Sequence, residues 1–492
     1  LRISKSIVLL FLLLSYLPVL AQVEEALVIR YDNPGDWRDI ATGLTVDGNG
    51  NIYVTGWTGT IKYSADGESL WFNHHEGHEL AVDKANNFYM TGGFGTIKYF
   101  SNGDSLRFGL FGLYWGYALV LDESANVYVA GTRPTETFYD FTTIRYSPSG
   151  DTIWVRYYNG PSNLHRDVAT NITIDKSGNI YVSGVSHDTG YNNSEFVTIK
   201  YTSNGDSLWV RHYNGSVIGR DAPRALVIDN SGNIYVAGES HSDGTLSDYA
   251  TIKYSPNGDT LWVRRYNGPA DSNDVANAIG VDDSSNVYVT GVSRGIGLAS
   301  DDIATIKYSP DGDELWVRRY DGPNGWDGGQ DMAIDKSGNV YITGYSRSGT
   351  LEDYITIKYA PNGDVLWQMR YNGPVDSNDV ANAIAIDDSG NLYVTGRSIG
   401  SHTIQDYDYA TIKYVQYNCL AKPADANGDG QVLFSDIVTI IDFLFKGQPA
   451  LNPVCRGDAN KDGAVLLSDI VYLINFIFKS GPAPSKNKEC CL

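Results

Sequence analysis

The chain has 492 residues, a formal net charge of −21 and a composition that is 42% apolar, with 52 glycines and 35 tyrosines. That length holds two to four domains, or one large repeat domain and a small companion. The acidic balance excludes a nucleic-acid partner, because a phosphate backbone is held by clustered lysine and arginine; many aromatics with many turn formers point to an all-β protein.

The first segment reads "LRISKSIVLLFLLLSYLPVLAQ". Arg2 and Lys5 make a basic start, Ile7 to Leu20 an apolar core, and Val19-Leu20-Ala21 a cleavage site. Residues 1–21 are therefore expected to be a secretory signal peptide, with the protein secreted or held at the cell surface after bacterial export. No cysteine follows the site, which excludes lipidation there. No later apolar run is long enough to span a bilayer.

Residues 22–418 are dominated by an internal repeat. The hexapeptide around "NIYVTG" occurs eight times, with its tyrosine at Tyr53, Tyr89, Tyr128, Tyr181, Tyr235, Tyr288, Tyr341 and Tyr393. A second element, "TIKY", also occurs eight times, from Thr60 to Thr411. Each unit offers four strands. "ANAIAID" is small and apolar, suited to a crowded inner position; "NLYVTG" follows a tight "DSG" turn. "YATIKY" alternates with the period of a strand, and "LWVRRY" follows a Pro-then-Asn-Gly turn. Four antiparallel strands in about 40–55 residues describe a propeller blade.

The pattern resembles the bacterial β-propeller repeat family with the "D-x-S-G-N-[IV]-Y-V-[TA]-G" signature (SBBP), and is similar to NHL-type propellers. The resemblance covers roughly residues 27 to 415 and implies an inner strand ending in Asp and an outermost Trp strand. Seven outer strands are visible, at Leu70, Leu106, Ile153, Leu208, Leu261, Leu315 and Leu366; the eighth unit stops at "YATIKYVQYNC" without one. Near the beginning, Val28-Ile29-Arg30-Tyr31 matches "WVRRY". The expected fold is an all-β propeller of eight four-stranded blades closed by this N-terminal outer strand, which would remove the exposed sheet edges. The alternative is seven blades, with a degenerate second or third unit.

Candidate functional residues come from registering the units on the inner-strand aspartates. Asp47 and its equivalents begin the hairpin and act as turn acceptors. Six units carry a further aspartate eight residues upstream, at Asp39, Asp167, Asp221, Asp274, Asp327 and Asp379. These would stand at one mouth of the channel, either as an acidic ring or as caps of the loop backbone. In the second unit His75 takes that place within "NHHEGHE", where His74, Glu76 and His78 could form a metal or acid–base site. Tyr114, Trp115 and Tyr117 of the third unit lie at the same face. No nucleophile motif, phosphate loop or cofactor fingerprint appears, so no catalytic residue is assigned.

After Cys419 the texture changes. "DANGDGQVLFSD" (425–436) and "DANKDGAVLLSD" (458–469) are spaced by 33 residues. Oxygen-bearing side chains at loop positions 1, 3 and 5, a glycine at 6 and a carboxylate at 12 are the arithmetic of a calcium loop. Helices are expected from Ser435 to about Lys446 and from Ser468 to about Lys479. Residues 419–492 thus resemble a type I dockerin, a small all-α module binding two Ca²⁺ ions. The resemblance implies ligands Asp425, Asn427, Asp429, Asp436 and the Gln431 carbonyl in the first loop. In the second they are Asp458, Asn460, Asp462, Asp469 and the Ala464 carbonyl. Phe434, Ser435, Leu467 and Ser468 would face a cohesin-like or other extracellular partner. Cys419, Cys455, Cys490 and Cys491 suggest disulfides around this module, with three full pairings open.

The leading functional expectation is a secreted, non-catalytic binding or scaffold protein. Its propeller would recognise a glycan or protein, and its tail would dock to a partner through calcium. The alternative is an extracellular polysaccharide-active enzyme, a lyase or hydrolase, carried on a dockerin.

Overall fold

A computed structural model describes residues 22–33, 38–109, 115–135, 138–160, 166–187, 193–242, 246–296, 301–400, 407–417, 424–427, 431–446, 456–460 and 464–479. The segment 1–21, Tyr114, Asp429, Asp462 and the four cysteines lie outside the described residues. The chain divides into two compact units, one of them Ala26–Lys413.

Eight four-stranded antiparallel sheets form an eight-bladed propeller. Within seven blades the strands follow chain order from inner to outer. In the eighth, the inner strand Val380–Ile386 is followed by Leu392–Ile399 and Tyr407–Tyr417, and the outermost position is taken by Gln22–Tyr31. The N-terminal strand closes the ring, and the seven-bladed alternative falls.

The repeat motif folds each blade in the same way. In all eight inner hairpins the aspartate accepts two backbone N–H groups and the Asn side-chain amide of its own turn; in blade five these are Ser231, Asn233 and Asn233 Nδ2 on Asp229. The same carboxylate takes the hydroxyl of the repeat tyrosine, Tyr235, at 2.9 Å. Burial alone would raise the Asp229 carboxyl, but these donors hold it below the ordinary range. Tyr235 lies flat in the core, and the Lys253 ammonium sits 5.1 Å from its ring centre. That ammonium also donates to the Pro310 carbonyl of the next blade, which the Trp262 indole shares. The "TIKY" lysine, the outer tryptophan and the proline turn therefore form one joint between blades.

The glycine of "YVTG" answers a different demand. The inner strand bulges at Arg224, between Pro223 opposite Gly238 and Ala225 opposite Ala237. A Cβ on Gly238 would fall 2.1 Å from the Ala222 carbonyl oxygen, so no side chain fits there.

Arginines on the outer strands tie neighbouring blades together. Arg265 reaches Asp248 at 3.1 Å and Ser240 at 2.7 Å in its own blade, and the Tyr213 hydroxyl at 3.0 Å in the preceding one. Arg30 repeats this at the seam, with Asp408 at 2.7 Å, Ser398 at 2.7 Å and the Tyr371 hydroxyl at 2.9 Å. On the other side of blade eight, Asn382 donates to the Ala41 carbonyl at 2.8 Å, as Asn277 does to Gly329 between blades six and seven. The joint that closes the ring is chemically the same as the joints between the other blades.

In the other unit, two helices, α1 (Phe434–Lys446) and α2 (Leu467–Lys479), pack through Ile437, Ile440, Ile470 and Leu473. They begin one residue earlier than the serine caps suggest. Asp436 accepts the Leu433 N–H at 2.8 Å while donating its own N–H to the Leu433 carbonyl. This reciprocal pair closes the first turn in place of Ser435.

Candidate functional site

The lower face of the propeller carries the uniform hairpins, so differences between blades concentrate on the upper face, where the inner strands begin. There, Asp39, Asp167, Asp221, Asp274, Asp327 and Asp379 are fully buried. In each case one carboxylate oxygen accepts a backbone N–H of the loop entering the blade, at 2.6 to 2.8 Å, as on Gly215, Gly268 and Gly373. Asp221 and Asp274 also take the N–H of His241 and Arg294 at the end of the second strand. Burial pushes the carboxyls of Asp167, Asp221, Asp274, Asp327 and Asp379 up, and these donors pull them back. Their geometry is that of loop caps.

The histidines of the second blade point to separate partners. His74 packs edge-on against Phe72, with ring centres 4.6 Å apart. His75 Nδ1 bonds the Tyr99 hydroxyl at 2.8 Å, and burial, with Arg107 and His74 nearby, holds its pKa low. His78 Nε2 accepts the Trp115 indole N–H at 2.9 Å, which places its own proton on Nδ1; burial lowers its pKa as well. Among the described residues no group of three or more His, Cys, Asp or Glu side chains could hold a metal. Tyr117 lies beside His78, with centres 5.8 Å apart.

Two further carboxylates enter the channel itself. At the position just after the inner-strand bulge most blades place a small residue: Gly43, Ala118, Ala225, Ala278 and Ala383. Blade two has Glu79 there and blade seven has Asp331. Both line a channel cavity of about 360 Å³, together with Asn171, Arg224 and Asn277. Asp331 accepts the N–H of Met332 and, across the blade boundary, that of Ile384 at 3.0 Å. Inner strands expose an unpaired edge to the channel, and Asp331 satisfies part of it. Among the described residues, Glu79 accepts its neighbour's amide alone, from Leu80 at 3.2 Å. Water reaches Glu79 from the channel, yet protein surrounds it. Burial pushes its carboxyl up to about 7, with the Asp331 charge adding to the rise. Burial likewise lifts Asp331 to about 6. Sequence reading missed this pair. The signal was present: two acidic residues where five of the other repeats carry Gly or Ala and the fourth repeat carries Asn171.

In the helical unit, Asp425, Asp436, Asp458 and Asp469 are buried. Asp436 accepts the N–H of Asn427 and Leu433, and Asp469 those of Asn460 and Leu466, which folds each loop onto its last carboxylate. Burial raises the Asp469 carboxyl, and Asp458 adds repulsion. Buried oxygen donors that repel one another are a donor set suited to a hard cation. Gln431 and Ala464 stand in the two loops. Phe434 and Leu467 are 60% and 59% exposed, and Ser435 and Ser468 are exposed beside them.

Comparison with known proteins agrees with the architecture. The beta-propeller repeat family (SBBP) matches residues 35–60, 153–192, 315–350 and 371–402. The chain is 22% identical over 403 residues to an uncharacterized WD repeat-containing protein, L264, of Acanthamoeba polyphaga mimivirus; the match covers 68% of this chain and 27% of that protein's length. Among solved structures, Chaetomium thermophilum Sqt1 bound to the N-terminus of the ribosomal protein L10 aligns with a TM-score of 0.54 at 9% identity. That alignment covers 79% of this chain and 99% of Sqt1. A Bacteroides caccae protein of unknown function aligns at a TM-score of 0.34 and 14% identity, over 57% of this chain and 93% of its own. The chain folds as a β-propeller, carries segments that match the beta-propeller repeat family, and is similar to one WD repeat-containing protein.

Proposed function

We propose that this chain is an exported, non-catalytic binding protein whose propeller recognises another protein and whose helical module docks to a partner in a calcium-dependent way. The observation that carries the reading is the even distribution of structural work around the ring. The upper-face aspartates are spent on loop caps, and the histidines are spent on Tyr99, Trp115 and packing. What remains for the upper face is surface, as in a scaffold. The solved Sqt1 structure, with a protein segment bound, gives the fold a precedent for this use.

Calcium fits the loops of the helical module. Asp425, Asn427, Asp429, Asp436 and the Gln431 carbonyl would hold one ion, and Asp458, Asn460, Asp462, Asp469 and the Ala464 carbonyl the other. The ions would neutralise carboxylates that otherwise repel, coupling binding to folding. Exposed Phe434 and Leu467, with Ser435 and Ser468, would then form the docking face. One observation favours the enzyme alternative: Glu79 and Asp331, two carboxylates of different environment in one channel.

The test pairs two screens on the full-length chain. One is an extracellular-protein array probed in calcium and in EGTA; the other is a polysaccharide array read for both binding and released product. A protein ligand of micromolar or tighter affinity, with a calcium-dependent component, supports the proposal. Turnover of any polysaccharide refutes it.

A further inference from the structure

The upper rim of the propeller has a gap. In blades three to eight the second strand runs three or four residues past the repeat glycine, as in Ile234–His241 beyond Gly238. In blades one and two it stops at the glycine, at Gly56 and Gly92. The third strands there have four and five residues, against eight or more elsewhere. Three residues of extended chain are about 10 Å, so two adjacent blades stand that much lower than the other six.

The floor of this notch is aromatic. The short turns that replace the missing strand ends present Trp57 and Phe94, 48% and 44% exposed. His75 lies edge-on to Phe94, with ring centres 5.8 Å apart. Next to Phe94, a Cβ on Gly93 would sit 2.5 Å from the Glu76 carboxylate and 3.6 Å from the Trp115 ring, so both lie against that turn. Trp115 bonds His78, and the residue after His78 is Glu79, the first of its inner strand. The notch therefore leads from the outer rim, over two exposed aromatics, to a carboxylate at the channel mouth. The nearby lining guanidinium, Arg224, is engaged by Glu239 at 3.0 Å and does not neutralise that carboxylate. Asp331 adds a second negative charge in the same channel.

We propose that the notch in blades one and two is a docking groove for an extended basic segment of a partner protein, which crosses Trp57 and Phe94 and delivers a lysine, an arginine or an amino-terminal ammonium to Glu79. The proposal rests on the protein-binding reading above and names the partner's chemistry. Exposed aromatics with low conformational entropy are the usual anchors of such interfaces. The channel carboxylates and the net charge of −21 select a cationic occupant. A neutral sugar chain would use the aromatics but leave Glu79 and Asp331 without a counter-charge.

The experiment selects a displayed random-decapeptide library on the full-length chain and measures the enriched peptides by fluorescence anisotropy. Enrichment of Lys- or Arg-bearing peptides is expected, with binding weakened about 10-fold or more by Trp57→Ala and by Glu79→Gln. Leu246→Ala, an exposed substitution on the rim of blade five, should leave binding unchanged. Trp57 is half exposed and Glu79→Gln is isosteric; thermal melts of both variants check the fold. Peptides that bind equally to Trp57→Ala and Glu79→Gln would overturn the notch while keeping the protein-binding reading. Enrichment of acidic peptides would also overturn the notch alone. No peptide enrichment, with neutral oligosaccharides bound instead, would overturn both.

Discussion

Arg30→Ala tests whether the strand Gln22–Tyr31 completes the last blade in solution. The guanidinium donates twice to Asp408, at 2.7 and 3.2 Å, twice to Ser398, at its hydroxyl (2.7 Å) and its carbonyl (3.2 Å), and once to the Tyr371 hydroxyl. The Asp408 side chain is 7% exposed and that of Arg30 23%. Breaking a buried ion pair costs about 3–5 kcal/mol. Water reaches the arginine and recovers part of that, so we expect a loss of about 2–3 kcal/mol. For a domain of this size the melting temperature should fall by roughly 2–4 °C. Arg265→Ala removes the equivalent contacts from blade five, where the side chains are 25% and 5% exposed, plus one at 3.3 Å to the His241 carbonyl, and should cost the same within about 0.5 kcal/mol. The two variants should differ in one respect. Only Arg30→Ala loosens the closing strand Gln22–Tyr31, so only it should speed proteinase K cleavage within that strand. In an Asp408→Asn background the Arg30→Ala cost should shrink, because no stranded carboxylate remains. Urea denaturation followed by tryptophan fluorescence measures all of these. If Arg265→Ala costs 2–3 kcal/mol and Arg30→Ala less than about 0.5, the N-terminal strand is not the fourth strand of blade eight in solution.

Gly238→Ala should destabilise the propeller by about 2–3 kcal/mol or prevent folding, since the new methyl meets backbone rather than a movable side chain; an unchanged melt would contradict the bulge geometry. Glu79 has a folded-state pKa of about 7, above its unfolded value, so the folded chain holds that proton more tightly. The contribution of this group to stability should therefore be fully present at low pH and be lost as pH rises through about 7, amounting to about 1 kcal/mol at most given the channel water. Glu79→Gln should flatten stability between pH 5 and 7.5, and an unaltered profile would show that the carboxyl titrates normally. Calorimetry of the full-length chain should show two calcium sites, with Asp436→Ala and Asp469→Ala each abolishing one; absence of saturable binding in the wild type would end the calcium assignment.

The local devices of the fold were legible from the repeats. The aspartate of each "D-x-S-G-N" turn is a turn acceptor in all eight blades, and the Val28–Tyr31 match to "WVRRY" foretold the seam. The partner of the repeat tyrosine was not legible. Its hydroxyl reaches an aspartate six residues back, across a hairpin whose register the sequence does not print. The three histidines read as a cluster because they share one loop, but successive side chains of that loop turn to Phe72, Tyr99 and Trp115. Glu79 and Asp331 are 252 residues apart in the chain and share one cavity only because the ring closes.

The sequence by itself determined the blade, because a blade is held by hydrogen bonds between residues close along the chain and by a hydrophobic pattern of period two. The motif count left seven or eight blades open, and the pairing of Gln22–Tyr31 with Tyr407–Tyr417 decided eight. The tertiary structure alone decided what meets across the ring: which aspartates are buried as caps, where the rim is low, and which carboxylates line the same channel cavity. Those contacts join residues tens to hundreds of positions apart, and their geometry exists only once eight blades have packed edge to edge around a common axis.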